Sequence, residues 1–320
     1  MIRPNFIAII PARYASSRFP GKPLAKIGGK PMIQLVYEQA KKAVDTVFVA
    51  TDDERIFSTV QAFGGKAIMT SPSHQSGTDR CFEAYSIVKS EERRTKNDEL
   101  RTMSEELRMM NEALIMKNDE LIMKSEEGRT KNGCRPSGNS SFFTHHSSFS
   151  THHSSFKEDV IINVQGDEPF IQPEQIESLA ACFEDPATQI ATLVKPFPYN
   201  GFFDDLANQN TPKVVINKRM EAMYFSRSIV PYKRGTDRNR WLEAHTYYKH
   251  IGMYAYRAEA LCEITQLPPS PLELAENLEQ LRWLENGYTI KTAITHLETI
   301  GIDTPEDLRR ATEMMQKSGY

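Results

Sequence analysis

Three stretches of the chain hold the residues best suited to chemistry: one basic loop and two acidic ones. PARYASSRFPGK follows the apolar run FIAII and supplies Arg13, Ser16, Ser17, Arg18 and Lys22. Arginine offers forked donors and lysine a point charge, so such a loop suits a polyphosphate. A solvated basic loop would read the same, but Phe19-Pro20-Gly21 and Lys22-Pro23 are turn signals that give this one a shape. It holds neither GxxxxGK[ST] nor GxGxxG, so it is neither a Walker loop nor a dinucleotide fingerprint. NVQGDEP places Asp167 and Glu168 directly after an apolar run, and GIDTPEDL places Asp303 before a helix start. Carboxylates facing a basic loop make chemical sense with a divalent cation between them and a phosphate. Helix capping is the competing role for Asp167. At the second stretch Thr304 suffices as a cap, which leaves Asp303 for a ligand.

Two further loops are candidates. In VATDDERIF, Asp52 suits either a ligand contact or the N-cap of the following helix. SPSHQSGTDR carries Ser76, Gly77 and Thr78, small enough to let backbone approach a flat ring edge, then Arg80 in a helix that Thr78 is placed to cap. An ordinary turn fits those residues too. Read alone, His250 looks like a packed strand residue, and Glu279-Gln280 like a solvated helix face within a long helix from about Leu272 to Glu285.

The elements that must position these loops follow from periodicity. FIAII, TVFVA, KAIMT, VIINVQ and QIATLV read as strands, separated by the amphipathic segments PMIQLVYEQAKKA, DERIFSTVQAF, TDRCFEAYSIV and PEQIESLAACF. That alternation predicts an α/β fold, a largely parallel sheet with helices on both faces. In such sheets ligands bind beyond the carboxyl ends of strands, which selects the loops at Pro11, Thr51, Thr70 and Gln165. After Pro212 come shorter strands (KVVIN, AMYFS, KHIGMYAYR), then YTIKTAI and a final helix after Thr304.

Between residues 91 and 157 the sequence changes character. KNDELRT, MSEELRM, MNEALIM, KNDELIM and KSEEGRT run as consecutive heptads from Lys96 to Thr130, with Leu100, Leu107, Leu114 and Leu121 in one register position and Gly128 in the last. Good helix formers without proline predict a long helix. Two readings stay open: a coiled-coil seam using Met103 and Met110, weakened by Lys117 and Lys124, or a solvated helix. A second repeat, THHSSFS then THHSSFK, contains His145, His146, His152 and His153, and reads as low-complexity sequence more readily than as a metal cluster. The expected organisation is therefore 1–90 with 158–320 as the catalytic domain and 91–157 as a repetitive insertion without chemistry.

Of 320 residues, 39% are hydrophobic and 25% charged, and the net charge is −3, which leaves no global basic field for nucleic acid. The four cysteines, Cys81, Cys134, Cys182 and Cys262, form no CxxC pair and read as reduced thiols of a cytoplasmic protein. No run approaches the length of a membrane span.

Taken together, IIPARYASSRFPGKPL, GGKPMI, VATDD, HQSGTDR, VNVQGDEP, YFSRSIVPY, KHIGMYAYR, SPLELAENLEQLRWLENG and GIDTPEDL resemble the 3-deoxy-manno-octulosonate (Kdo) cytidylyltransferases, or CMP-Kdo synthetases. Sialic acid cytidylyltransferases are similar in the first loop but continue differently after Pro-Ala-Arg. The resemblance implies a Rossmann-like nucleotidyltransferase fold with a mixed, mostly parallel sheet, and transfer of CMP from CTP to Kdo for lipopolysaccharide synthesis. It implies Mg²⁺ at Asp167 and Asp303, and phosphate contacts from Arg13 and Lys22. It places CTP also against Ser76, Gly77, Thr78, Arg80 and Gln165, and Kdo against Arg227, His250, Tyr254, Glu279 and Gln280. It further implies a homodimer, with the apolar strands after Pro212 available as an interface. The segment Asp237–His245 is spaced differently from the family pattern and contributes no expected site residue.

Overall fold

A computed structural model describes residues 4–15, 19–127, 159–298 and 301–318. Ser16, Ser17, Arg18, Cys134, Gly128 and the four histidines of the second repeat lie outside these, as do the side chains of Leu114 and Leu121. The chain divides into two units, Met1–Ser86 with Ser154–Tyr320, and Ile87–His153.

In the first unit, β1 (Asn5–Ala12) leads through a small ribbon of β2 (Lys26–Ile27) and β3 (Lys30–Pro31) into α1 (Met32–Ala43). Next come β4 (Thr46–Thr51), α2 (Glu54–Ala62), β5 (Ala67–Met69) and α3, which begins at Gly77. After β6 (Asp159–Asn163), α4 (Pro173–Ala181) and β7 (Ile190–Pro196) lie α5 (Phe203–Ala207), β8 (Lys213–Ile216), β9 (Ala222–Ser226) and α6 (Trp241–Ala244). The chain ends with β10 (Tyr248–Arg257), α7 (Ala258–Ile264), α8 (Pro271–Glu276), α9 (Gln280–Glu285), β11 (Ile290–Ile294) and α10 (Pro305–Ser318).

The main sheet has the order β11-β7-β10-β6-β1-β4-β5, with β8 and β9 branching from β10. Along that path only β10 runs antiparallel to its neighbours, so the sheet is mixed but mostly parallel, as the resemblance implied. β6 is buried along its whole length, which suits a central strand covered on both faces. Alternation along β1 and β6 sends Ala8, Ile10 and Ile162 into one core with Val36 of α1, Val60 of α2 and Ile176 of α4. On the opposite face, Tyr254 and Tyr256 meet the edge of Trp283 on α9, with ring centroids 5.0 and 5.6 Å away.

Two expected elements differ. The helix placed over Leu272–Glu285 is two helices, because Asn277 takes a left-handed conformation (φ 52°) that ends α8. The helix starting at TDRCF and the heptad block form one continuous α3, Gly77–Glu127. No Gly or Pro interrupts the sequence from Ser86 to Glu127, so nothing there stops a helix already nucleated. On α3, Leu100, Met103, Leu107 and Met110 are all more than half exposed, while Arg101–Glu105 and Arg108–Glu112 pair along its surface. Among the described residues, no helix is long and apolar enough to cross a membrane.

Candidate active site

The carboxyl ends of β1 and β6, the start of α3 and the approach to α10 enclose a cleft of about 470 Å³. Arg13, Lys22, Ser76, Gly77, Arg80, Gln165, Asp167 and Asp303 all line it, so eight of the sequence-predicted residues share one cavity. Gly166 makes the close approach possible: a Cβ there would lie 2.8 Å from the Pro11 carbonyl oxygen. Only glycine lets the acidic loop pack on the end of β1.

Asp303 reaches the same place from the far end of the chain. α10 docks through Ala311 against Ile27, Met32 and Ile302, and the Ile302 N–H donates to the Asp167 carbonyl at 2.9 Å. Thr304 and Asp307 form a reciprocal cap for α10, with Asp307 N donating to Thr304 Oγ1 and Thr304 N donating to Asp307 Oδ2. The Asp303 side chain is thereby left out of capping, as the sequence predicted. Capping does not occupy Asp167 either, since α4 is capped by Gln172.

Both carboxylates turn to one ammonium. Lys22 Nζ donates to Asp167 Oδ2 at 2.8 Å and to Asp303 Oδ1 at 3.2 Å, and its side chain is only 13% exposed. Beside them, Glu168 Oε2 is buried without a hydrogen-bond partner among the described residues. Burial, and secondarily the Asp167 charge, push the Glu168 carboxyl up to about 7. An all-oxygen donor pair already holding one cation, next to an orphaned buried oxygen, fits a hard divalent ion. Among the described residues no group of three or more His, Cys, Asp or Glu side chains is placed to hold a metal ion by itself. Arg13 is exposed at the cleft and forms no ion pair among the described residues.

The start of α3 joins this cleft to a second polar cluster. Ser76, not Thr78, caps the helix: Asp79 N donates to Ser76 Oγ at 3.1 Å. Thr78 is buried instead and donates to Glu279 Oε2 at 2.9 Å. Burial raises the Glu279 carboxyl above its ordinary value, against the lowering effect of that bond. Gln280 is 5% exposed, so the expected solvated face is an inward-facing one, a consequence of the break at Asn277. Gln280 Nε2, Tyr254 Oη and Asn163 Oδ1 are buried without hydrogen-bond partners among the described residues. Buried donors and acceptors left open in this way are suited to a hydroxyl-rich ligand.

Residues 7–99 and 135–316 match the profile of the cytidylyltransferase family. Across 313 residues the chain is 52% identical to a 3-deoxy-manno-octulosonate cytidylyltransferase of Phocaeicola vulgatus, covering 98% of each chain. This chain belongs to the 3-deoxy-manno-octulosonate cytidylyltransferase family. It is also 53% identical over 308 residues to the cytidylyltransferase of that name from Parabacteroides distasonis, covering 96% of each. A solved CMP:2-keto-3-deoxy-manno-octonic acid synthetase complexed with CTP superposes with a TM-score of 0.69 at 36% identity, over 98% of this chain and 99% of that one.

Several residues of this cytidylyltransferase are engaged differently from the sequence expectation. Arg80 is buried, with Nη1 donating to Thr70 at 2.6 Å and Nη2 to Asp52 at 3.2 Å, so it ties two strand-end loops together. Asp52 is therefore not the cap of α2; Asp53 is. Gln165 Nε2 donates to the Gly252 carbonyl at the bulge of β10, which leaves its amide oxygen for the cleft. Arg227 donates to the carbonyls of Glu276, Gln209 and Asn277, an arrangement that holds the α8 terminus and leaves two guanidinium N–H groups. Asn163 escaped the sequence reading; its signal is a polar residue directly after the apolar run Val160–Ile162, in register with Tyr254.

His250 is fixed in a neutral form. Thr192 Oγ1 lies 2.8 Å from the Met253 carbonyl and 3.0 Å from His250 Nε2. With one proton the hydroxyl donates to the carbonyl and accepts from Nε2–H, which fixes that tautomer. Burial pushes the His250 pKa down to about 3 from 6.5. A depressed histidine is a cost of acidification: below pH 6.5 the unfolded chain gains a proton that the native state refuses until about 3. Stability is expected to fall by on the order of 1 kcal/mol per pH unit across that window. His250→Gln should flatten this slope in urea melts at a series of pH values. An unchanged slope would show that His250 accepts its proton in the folded protein.

Proposed function

We propose that the enzyme transfers CMP from CTP to the anomeric C2 hydroxyl of Kdo, releasing pyrophosphate and supplying activated Kdo for lipopolysaccharide synthesis. The carrying observation is that the Arg13–Lys22 loop and the Asp167 and Asp303 carboxylates face one another across one cleft. Direct attack of the hydroxyl on the α-phosphorus requires neutralised charge and aligned reactants, and no covalent intermediate on the protein.

In this reading Arg13 and Lys22 bind the triphosphate of CTP. Ser76, Gly77 and Gln165 lie on the nucleoside side, Thr78 is joined to them through the start of α3, and Arg80 sets the loops that shape that side. Asp167 and Asp303 hold Mg²⁺, which when bound neutralises developing charge on the phosphate oxygens. Lys22 pairs with both aspartates and would share the phosphates with an ion held there. Tyr254, Glu279 and Gln280 bind the hydroxyls of Kdo, with His250 as a neutral wall. The remaining Arg227 N–H groups suit its carboxylate. The enzyme acts in the cytoplasm as a homodimer, and residues 91–157 are an insertion outside the catalytic domain of 1–90 and 158–320.

Pyrophosphate release with CTP and a panel of sugar acids tests the substrate. Release is expected with Kdo; turnover of a sialic acid or an 8-amino Kdo analogue in preference to Kdo would overturn the choice. Joining residue 90 to residue 158 tests the insertion. Catalysis is expected to survive, because every residue lining the cleft lies at or before Arg80 or at or after Gln165. Loss of activity in a folded deletion variant would give the heptads a functional role.

A further inference from the structure

Arg13 and Lys22 flank a closed neck in the basic loop. Gly21 N donates to the Tyr14 carbonyl at 2.9 Å, so the chain leaves and rejoins itself between those two residues. Gly21 has φ 71°, and a Cβ there would sit 3.1 Å from Cε2 and Cζ of Tyr14, so the hydroxyl end of the ring packs closely on the glycine. On the ring rests a second group: the Arg55 guanidinium carbon is 3.3 Å from the ring centroid. Arg55 is held in turn by Asp53, with Nε at 2.9 Å from Oδ1 and Nη2 at 2.6 Å from Oδ2. Asp53 is also the N-cap of α2, and α2 is locked to the core by Ile56 and Val60, both fully buried.

We propose that Arg55 and Tyr14 are positioning residues for the nucleotide, transmitting the fixed geometry of α2 to the cations at positions 13 and 22. The planar guanidinium is needed twice, for the two-point bond to Asp53 and for stacking on the ring; lysine provides neither. Arg55 is not among the residues lining the cleft, so its part is to hold the ring and not to meet the phosphates. The Tyr14 hydroxyl makes no hydrogen bond among the described residues, so the ring alone matters. This inference rests on the reading of the cleft as the triphosphate site.

Steady-state kinetics on the full chain test it. Arg55→Ala should raise KM for CTP roughly fivefold, about what the loss of a stacked cation at an exposed site amounts to. Tyr14→Ala should raise it on the order of tenfold or more, because both cations shift. Arg55→Lys should resemble Arg55→Ala, Tyr14→Phe should resemble the wild type, and KM for Kdo should stay unchanged in all four. Equal rises in both KM values would mark a merely structural role and overturn the inference, as would an unchanged KM for CTP in Arg55→Ala. Should Tyr14→Ala fail to fold, the exposed Arg55 still decides. Arg13→Ala separates the two readings: if it leaves CTP binding intact, the cleft assignment itself has failed.

Discussion

Asp167→Asn is expected to reduce turnover by about three orders of magnitude, the scale of losing one preorganised charge-stabilising group. The exchange is nearly isosteric, and the structural bond of residue 167 runs through its carbonyl to Ile302 N, which the amide side chain leaves in place. The fold and melting temperature should therefore hold while the charge is lost. Two readouts accompany the rate: binding of Mn²⁺ as a probe should weaken, and KM for Kdo should change far less than turnover. A variant that keeps near-normal turnover would remove Asp167 from the chemistry. One that loses mainly stability would make it a structural residue.

Lys22→Ala should cut kcat/KM for CTP by about two to three orders of magnitude, as expected for a cation aimed at phosphate in a water-poor site. Its second effect has the opposite sign. In the free enzyme Lys22 pairs with Asp167 and Asp303 at 2.8 and 3.2 Å, so any divalent ion entering between them competes with an internal ammonium. Removing that ammonium takes one opposing charge away from both carboxylates, and Mn²⁺ affinity without nucleotide should rise several-fold, in line with the worth of an opposing charge at such range. Mn²⁺ titration followed by electron paramagnetic resonance reads this directly. Unchanged affinity would show that Lys22 does not occupy the cation position. Lys22→Arg should restore activity only in part, because the larger planar guanidinium does not fit the largely buried place of a compact ammonium.

How much of this was legible before folding varies by residue. Strand-end loops could be named from apolar runs followed by polar ones, and those at Pro11, Thr70 and Gln165 line the cleft, whereas the Thr51 loop contributes no lining residue. Thr304 as the cap of α10 follows from local chemistry, which is why that expectation survived. Thr78 was misread as a cap, and the engagement of Arg80 and Asp52 with each other was not visible in the sequence, because each of these residues has a local role open to it. A longer-range partner took it instead: Thr70 and Asp52 for Arg80, Glu279 for Thr78. Glu279 and Gln280 read as solvated because helical periodicity continues through Asn277, and a left-handed backbone residue that is not glycine has no periodic signature.

By itself the sequence determined the alternating strands and helices, the helical character of the heptad block, the basic and acidic loops and the family to which they belong. These are properties of residue type and spacing within a few turns of chain. Tertiary structure alone decided that β10 runs against its neighbours, that Gly166 brings the acidic loop onto β1, and that Lys22 stands between Asp167 and Asp303. Those outcomes join residues far apart in the chain, and composition or period carries no information about such pairings. The sheet supplies it, by bringing the ends of its strands to one edge and closing α10 over them.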